Sequence, residues 1–135
     1  MNKKIAYLIN PISGTKGKEK LKALIESETN KQQIPFEILA TNAEANYDFV
    51  KDKIANEGLT HVVIVGGDGT INQIINALRF EPVIFGIIPM GSGNGLARAA
   101  GISMKPKKAL VQIFHGLSKK TDAFLINGQF SCVLS

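Results

Sequence analysis

Asp68 is the one carboxylate in a run of small residues, Gly66-Gly67-Asp68-Gly69-Thr70, and that company gives it chemical meaning. Glycines at a turn let a ligand approach the backbone closely and allow positive φ. Free N–H groups at the start of a following helix, and its positive dipole end, favour an anion. A carboxylate beside an anion site repels a phosphate unless a cation or a proton transfer involves it. A metal-bound nucleotide phosphate, or a hydroxyl to be deprotonated, would account for Asp68. The plainer alternative is that Asp68 caps the helix or fixes the turn. A second glycine-rich block, Gly91-Ser92-Gly93-Asn94-Gly95, follows twenty-odd residues later. Two such turns in one small domain suit a phosphate-rich ligand cradled by backbone amides. Ser13 and Ser92 could donate hydroxyls to phosphate or bond their own backbone. Asn94 could bond substrate, tie the two turns together, or simply cap a helix.

The elements around these blocks alternate strand and helix. Val62 to Val65 are β-branched and predict a buried strand ending at the first glycine block. Thr70 can cap an amphipathic helix from Ile71 to Leu78. Upstream, Ile5 to Asn10 predicts the first strand, about Lys18 to Ser27 a helix, Phe36 to Ala40 the second strand and Tyr47 to Asn56 a second helix. Downstream, Val83 to Pro89 predicts a fourth strand, leading through the second glycine block into a helix that Gly101 ends. Pro106 opens another helix. Asn127-Gly128 between two alternating runs, Thr121 to Ile126 and Gln129 to Leu134, predicts a hairpin.

This order implies right-handed βαβ units, hence a Rossmann-like, three-layer α/β fold: a parallel sheet with helices on both faces. Ligands of such sheets bind at the carboxyl ends of the strands. Four strand ends carry unusual residues: Asn10 to Gly14, Thr41-Asn42, Gly66 to Thr70 and Gly91 to Asn94. The Gly91 block departs from a dinucleotide fingerprint, because Leu96 stands where the third small residue is required. Asn10 to Thr15 also lacks the spacing of a Walker A loop.

Composition narrows the classes. With 135 residues, 44% hydrophobic and 20% charged, the chain predicts one globular domain with a sizeable core. No apolar run approaches the ~20 residues of a membrane-spanning helix, and no signal peptide is evident. A single cysteine, Cys132, precludes an internal disulfide and suits a reducing cytoplasm. Zinc ligands of the Cys/His type are lacking, and no metal-ligand set is assigned. The net charge of +5 comes largely from lysines around 16–22, 105–108 and 119–120, which suit solvated helix faces or an anionic surface. Aromatic residues do not interleave them, so nucleic acid is not expected as a partner. His61 and His115 have no nearby catalytic partners in sequence, and Arg98 could reach a phosphate or pair with a carboxylate.

Three blocks in order and spacing resemble the catalytic domain of the diacylglycerol kinase and sphingosine kinase family. They are Asn10-Pro11-x-Ser13-Gly14, Gly66-Gly67-Asp68-Gly69-Thr70-x-Asn72 and Pro89-x-Gly91-Ser92-Gly93-Asn94-x-x-Ala97-Arg98. The first glycine block also resembles that of NAD kinases and phosphofructokinases; the second, with Ala97-Arg98, favours the lipid kinases. The resemblance implies transfer of the γ-phosphoryl group of ATP to a lipid hydroxyl, with Mg²⁺, at a membrane surface. By position, Asn10, Ser13, Thr41, Gly66, Gly67, Asp68, Gly69, Thr70, Gly91, Ser92, Gly93 and Asn94 would line the nucleotide cleft. Asp68 would be the catalytic residue, serving phosphates, metal or nucleophile activation. The resemblance further implies a cytoplasmic, peripherally membrane-associated enzyme, with room for a homodimer. Residues 1–120 would be the nucleotide-binding domain and 121–135 the truncated start of a second, β-rich domain, so this chain alone would be inactive. Gly95 stands where many bacterial members carry Asp, as in sphingosine kinase-like variants; Gln73 replaces a usual Glu and Ala77 a frequent Gly. The alternatives are a kinase of NAD or another soluble metabolite, and an ATP-binding fragment without activity of its own.

Overall fold

The computed structural model describes residues 3–10, 16–42, 44, 46–89, 106–115, 121–126 and 129–134. Four strands form one parallel sheet in the order β2-β1-β3-β4: β1 (Ile5–Ile9), β2 (Phe36–Ala40), β3 (His61–Gly66) and β4 (Ile84–Pro89). The helices are α1 (Lys16–Lys31), α2 (Asp48–Glu57), α3 (Asp68–Leu78) and α4 (Pro106–His115). A separate two-stranded antiparallel sheet pairs β5 (Thr121–Ile126) with β6 (Gln129–Leu134), around the Asn127-Gly128 dipeptide that predicted it. Among the described residues, no helix is long and apolar enough to cross a membrane.

The order follows from what each element must cover. All five residues of β1 are buried, as are His61 to Val65 of β3, which is the pattern of strands packed on both faces. From β1 the chain moves one way to β2; from β3 it moves the other way to β4. Right-handed crossovers in opposite directions place α1 and α3 on opposite faces. An ion pair of 3.7 Å between Glu28 and Lys107 joins α1 to α4 on the same face.

Each helix turns an apolar stripe to the sheet. On α3, Ile71, Ile74, Ile75 and Leu78 are completely buried, at the i, i+3, i+4, i+7 spacing of one helix face. Each contributes about 1.5–3 kcal/mol of burial, as an upper bound. Val50 and Ile54 do the same on α2, and Ala109, Leu110 and Phe114 on α4. Gly86 lets α4 approach β4 closely, for an added Cβ there would lie 3.0 Å from Ile113 Cγ1 and 3.2 Å from Val63 Cγ2.

Three of the boundaries that differ from the sequence expectation have a physical reason or bear on the site. Helix α1 runs on to Lys31, beyond Ser27, because Thr29 extends the buried stripe of Leu21 and Ile25. Its hydroxyl donates to Ile25 C=O at 2.6 Å and accepts from the Tyr7 hydroxyl at 2.7 Å. Burial pushes the Tyr7 phenol up to about 12, while the Thr29 hydroxyl pulls the other way. Helix α3 starts at Asp68, earlier than the apolar periodicity indicates; its cap is Gly67, and Thr70 lies inside the first turn. His61, expected just before β3, is instead its first residue and is buried.

Candidate active site

The strand register lines up the residues that the sequence singled out. Ile9 pairs with Val65 and Gly66 with Pro89, so Asn10, Gly66 and Pro89 stand level across three neighbouring strands. The Thr41 amide donates to Ile9 C=O at 3.1 Å, carrying the β2–β1 ladder one residue past Ala40. Thr41 therefore completes the row beside Asn10, with strands spaced about 4.8 Å apart. The crevice between β1 and β3, where the chain's direction of travel reverses, lies in the middle of this row.

The first glycine block joins β3 to α3 beside that crevice. Gly67, with φ −94° and ψ −177°, is extended and carries no side-chain cap. The first intrahelical bond runs from Ile71 N–H to Gly67 C=O at 3.0 Å. The amides of Asp68, Gly69 and Thr70 come before that bond and have no carbonyl of the helix to meet. They point out of the helix end, as an array for an anion.

The glycines are there for space, not for twist. None of the three has positive φ; among the described glycines only Gly58 does, at 71° as the C-cap of α2. An added Cβ at Gly66 would press on Thr70 Cβ at 3.2 Å, so that glycine serves the packing of the turn itself. An added Cβ at Gly67 or Gly69 would meet nothing within 4 Å. Among the described residues, packing requires a glycine at neither, and the space beside both is open.

Asp68 is the first helical residue rather than the cap. A carboxylate at the first position of a helix is favoured by the helix dipole. Among the described residues no group of three or more His, Cys, Asp or Glu could hold a metal ion by itself. A donor set of one carboxylate fits Mg²⁺, which takes one or two carboxylates, substrate phosphates and water. The residues present thus fit a metal-bound polyphosphate: amides for its oxygens, open room beside Gly67 and Gly69, and one carboxylate for its cation.

The wall after β2 is braced in a way the sequence did not disclose. Asn42 Oδ1 accepts from Asn46 N–H at 2.8 Å, and Asn42 Nδ2 donates to Asn46 C=O at 2.7 Å. Asn46 Oδ1 then accepts from Asp48 N–H at 3.1 Å, satisfying the first amide of α2. Tyr47 is buried beneath, which raises its phenol above the ordinary range. The segment that begins at Thr41 is thus folded onto the start of α2. Two asparagines four residues apart were the only sequence signal of it.

The structure therefore brings Asn10, Thr41 and Gly66 to Thr70 to one edge. Ser13, Gly91, Ser92, Gly93 and Asn94, with Arg98, lie outside the described residues. Pro89, level with Gly66, is two residues from Gly91. Asn72, the last residue of the first glycine motif, stands on α3 one turn beyond Asp68. Asn72 Oδ1 is buried and has no hydrogen-bond partner among the described residues.

Comparison with known proteins gives a consistent picture. The profile described as "Diacylglycerol kinase catalytic domain" matches residues 4–126. The diacylglycerol kinase of Staphylococcus carnosus (strain TM300) is 29% identical over 135 residues, spanning 96% of this chain and 43% of its own. That of Bacillus subtilis (strain 168) is 28% identical over 132 residues, spanning 95% and 43%. A crystal structure of a diacylglycerol kinase from Bacillus anthracis str. Sterne superimposes with a TM-score of 0.74 at 22% identity, covering 96% of this chain and 49% of that one. At that identity the superposition establishes the shared α/β fold. The chain spans less than half the length of the curated relatives it matches.

Proposed function

The chain belongs to the diacylglycerol kinase catalytic-domain family, and from that premise we propose that it is the nucleotide-binding part of an ATP-dependent lipid kinase. The observation that carries the reading is the carboxyl edge itself. Thr41, Asn10 and the Gly66 to Thr70 turn stand in one row, with open space beside Gly67 and Gly69.

Phosphoryl transfer asks a protein for positioning and charge neutralisation more than for covalent chemistry. The amides of Asp68, Gly69 and Thr70 bind phosphate oxygens at the positive end of α3. Thr41 and Asn10 form the side of the cleft towards β2, held by the Asn42–Asn46 brace. Ser13, Gly91, Ser92, Gly93 and Asn94, which lie outside the described residues, bind the same nucleotide in this reading. Mg²⁺ supplies neutralisation of the phosphate charge when bound. Two roles are open to Asp68: holding that cation, or accepting the proton of the acceptor hydroxyl. In the reaction the acceptor oxygen forms a bond to the γ-phosphorus, the bond from that phosphorus to the β-bridging oxygen breaks, and ADP leaves. The hydroxyl proton passes to a base.

Residues 1–120 are the nucleotide-binding domain in this reading, and the β5–β6 hairpin, which forms its own sheet, begins a second β-rich domain. The acceptor is a lipid reached from the cytoplasmic face of a membrane. The test is transfer of labelled γ-phosphate from Mg-ATP by the full-length protein. The acceptor panel is diacylglycerol, monoacylglycerol, phosphatidylglycerol, sphingosine and NAD. Label on a lipid is the expected result and names the acceptor. Label on NAD alone moves the assignment to the soluble-metabolite kinases, and no label on any acceptor overturns the activity.

A further inference from the structure

Two helices begin at the carboxyl edge on one face of the sheet, and their first turns are finished differently. The crossovers from β2 to β3 and from β3 to β4 run in the same direction along the sheet, so right-handed connections put α2 and α3 on the same face. At α3 the cap is Gly67, which offers no side chain to the amides before the first intrahelical bond. At α2 the first amide is already taken, by Asn46 Oδ1 at 3.1 Å. Two exposed carboxylates stand by that second helix start: Glu44 in the turn before it and Asp48 in its first turn. One ammonium, on Lys51, lies 3.9 Å from Asp48 and is itself half-exposed. A phosphate is therefore favoured at the β3 end of the row and disfavoured at the β2 end. The two ends stand two strand spacings apart, about 10 Å, with Asn10 between them. A lone phosphate does not bridge that gap, whereas a nucleotide laid along the edge does.

At the β2 end the residues that face this space are Thr41 and Asn42, both half-buried. The Thr41 amide is tied to Ile9 C=O, which fixes its backbone to the sheet. From Asn42 to the start of α2 no regular ladder holds the chain. The Asn42 carboxamide holds it instead, by its two-point bond to the N–H and C=O of Asn46. Both bonds are exposed, so each adds little net stability. Their effect is on order. They set the turn beyond Thr41 in one position before a ligand arrives, which removes an ordering cost from binding. We infer that Asn42 is a positioning residue of the nucleotide site: through Asn46 it presets the wall against which the uncharged, nucleoside end of the nucleotide rests. The inference rests on the nucleotide-binding reading above. It ties Asn42 to the affinity for the whole nucleotide, and to neither the phosphate chain nor the transfer step.

The experiment compares Asn42→Ala and Asn42→Asp in the full-length protein. Ala deletes both bonds, and Asp keeps the acceptor for the Asn46 amide. The probes are Mg-ATP and inorganic tripolyphosphate with Mg²⁺, titrated by calorimetry at a temperature where every variant is folded. In Asn42→Ala the affinity for Mg-ATP is expected to fall about ten-fold, and the KM for ATP to rise by a similar factor. Tripolyphosphate affinity, and kcat at saturating ATP, are expected to stay within about two-fold of wild type. Asn42→Asp is expected to bring Mg-ATP affinity back to within about three-fold of wild type. A wild-type KM for ATP in Asn42→Ala overturns the inference, whatever happens to its melting temperature, because the brace then serves the fold alone. Equal losses for Mg-ATP and tripolyphosphate overturn it, since the whole edge has then shifted. A lower kcat at unchanged KM overturns it as well, by placing Asn42 in the transfer step. Failure of the function reading is separately visible: wild type would then bind no Mg-ATP and transfer no phosphate.

Discussion

The two ends of the parallel sheet are built from the same strands and finished in opposite ways. At the amino end the backbone is cross-tied. Lys4 N–H donates to Thr60 Oγ1 at 2.8 Å, and Thr60 N–H and His61 N–H both reach Lys4 C=O, at 2.9 and 3.1 Å. Ile84 N–H meets Thr60 C=O at 2.9 Å and Ile5 N–H meets Pro35 C=O at 3.0 Å, so β1 to β4 all begin from shared bonds. Lys3 Nζ donates to Phe114 C=O at the end of α4, and Lys4 Nζ to Glu57 C=O at the end of α2. At the carboxyl end the strands stop at Asn10, Thr41 and Gly66, and the amides that follow Gly67 meet no helix carbonyl. The amino end ties its strands to one another; the carboxyl end carries the start of α3, whose first amides precede its first intrahelical bond. Changes at the carboxyl end should therefore cost activity and spare stability, and changes at the amino end the reverse.

The largest effect expected is at Asp68. In the full-length enzyme Asp68→Ala should lower kcat about 1,000-fold, as loss of a catalytic acid-base or metal-anchoring carboxylate does. Its melting temperature should stay near wild type, and turnover within two-fold of wild type would remove Asp68 from the mechanism. Gly67→Val comes next. The new side chain meets no protein atom nearby, yet fills the space in front of the amides. Nucleotide affinity, read by calorimetry, should fall about 100-fold, equivalent to two charged hydrogen bonds. Equal losses of affinity and stability would show that the space is not a ligand's.

Two predictions probe the cross-tied body of the fold. The raised Tyr7 phenol is protonated in both folded and unfolded chains below pH 10. Between pH 10 and about 12 only the unfolded chain releases the proton, so stability falls through that window. Denaturant titrations should show a loss of about 2–3 kcal/mol there, absent in Tyr7→Phe. Thr60→Val strands the Lys4 amide at the amino end and should cost about 1–2 kcal/mol with kcat unchanged. A Thr60→Val enzyme with normal stability but poor turnover would break the contrast between the two ends.

The strands and their direction were legible because β-branched runs such as Val62 to Val65 have few other uses. The row at the carboxyl edge was legible too, since a parallel α/β sheet has one functional edge. What escaped notice was carried by polar residues doing structural work. Ser27 to Lys31 reads as the end of a helix, yet Thr29 is buried and bonded to Tyr7, twenty-two residues away. The start of α3 was hidden because Gly67 to Gly69 are poor helix formers whose place is set by the turn. The Asn42–Asn46 brace and the unmet oxygen of Asn72 depend on pairings in space, which spacing along the chain does not reveal.

The sheet order also has a consequence for how the molecule comes into being. Among these strands β1 is made first and ends in the middle, with β2 on one side and β3 on the other. Its bond to Thr60 spans 56 residues. At a ribosomal pace of about 5–20 residues per second, one edge of a fully apolar strand waits roughly 3–10 s for its neighbour. Through that interval β1 offers an unpaired ladder to any passing chain. Translation speed between β1 and β3, and chaperones able to shield an extended apolar segment, therefore set how many copies of this protein reach the folded state.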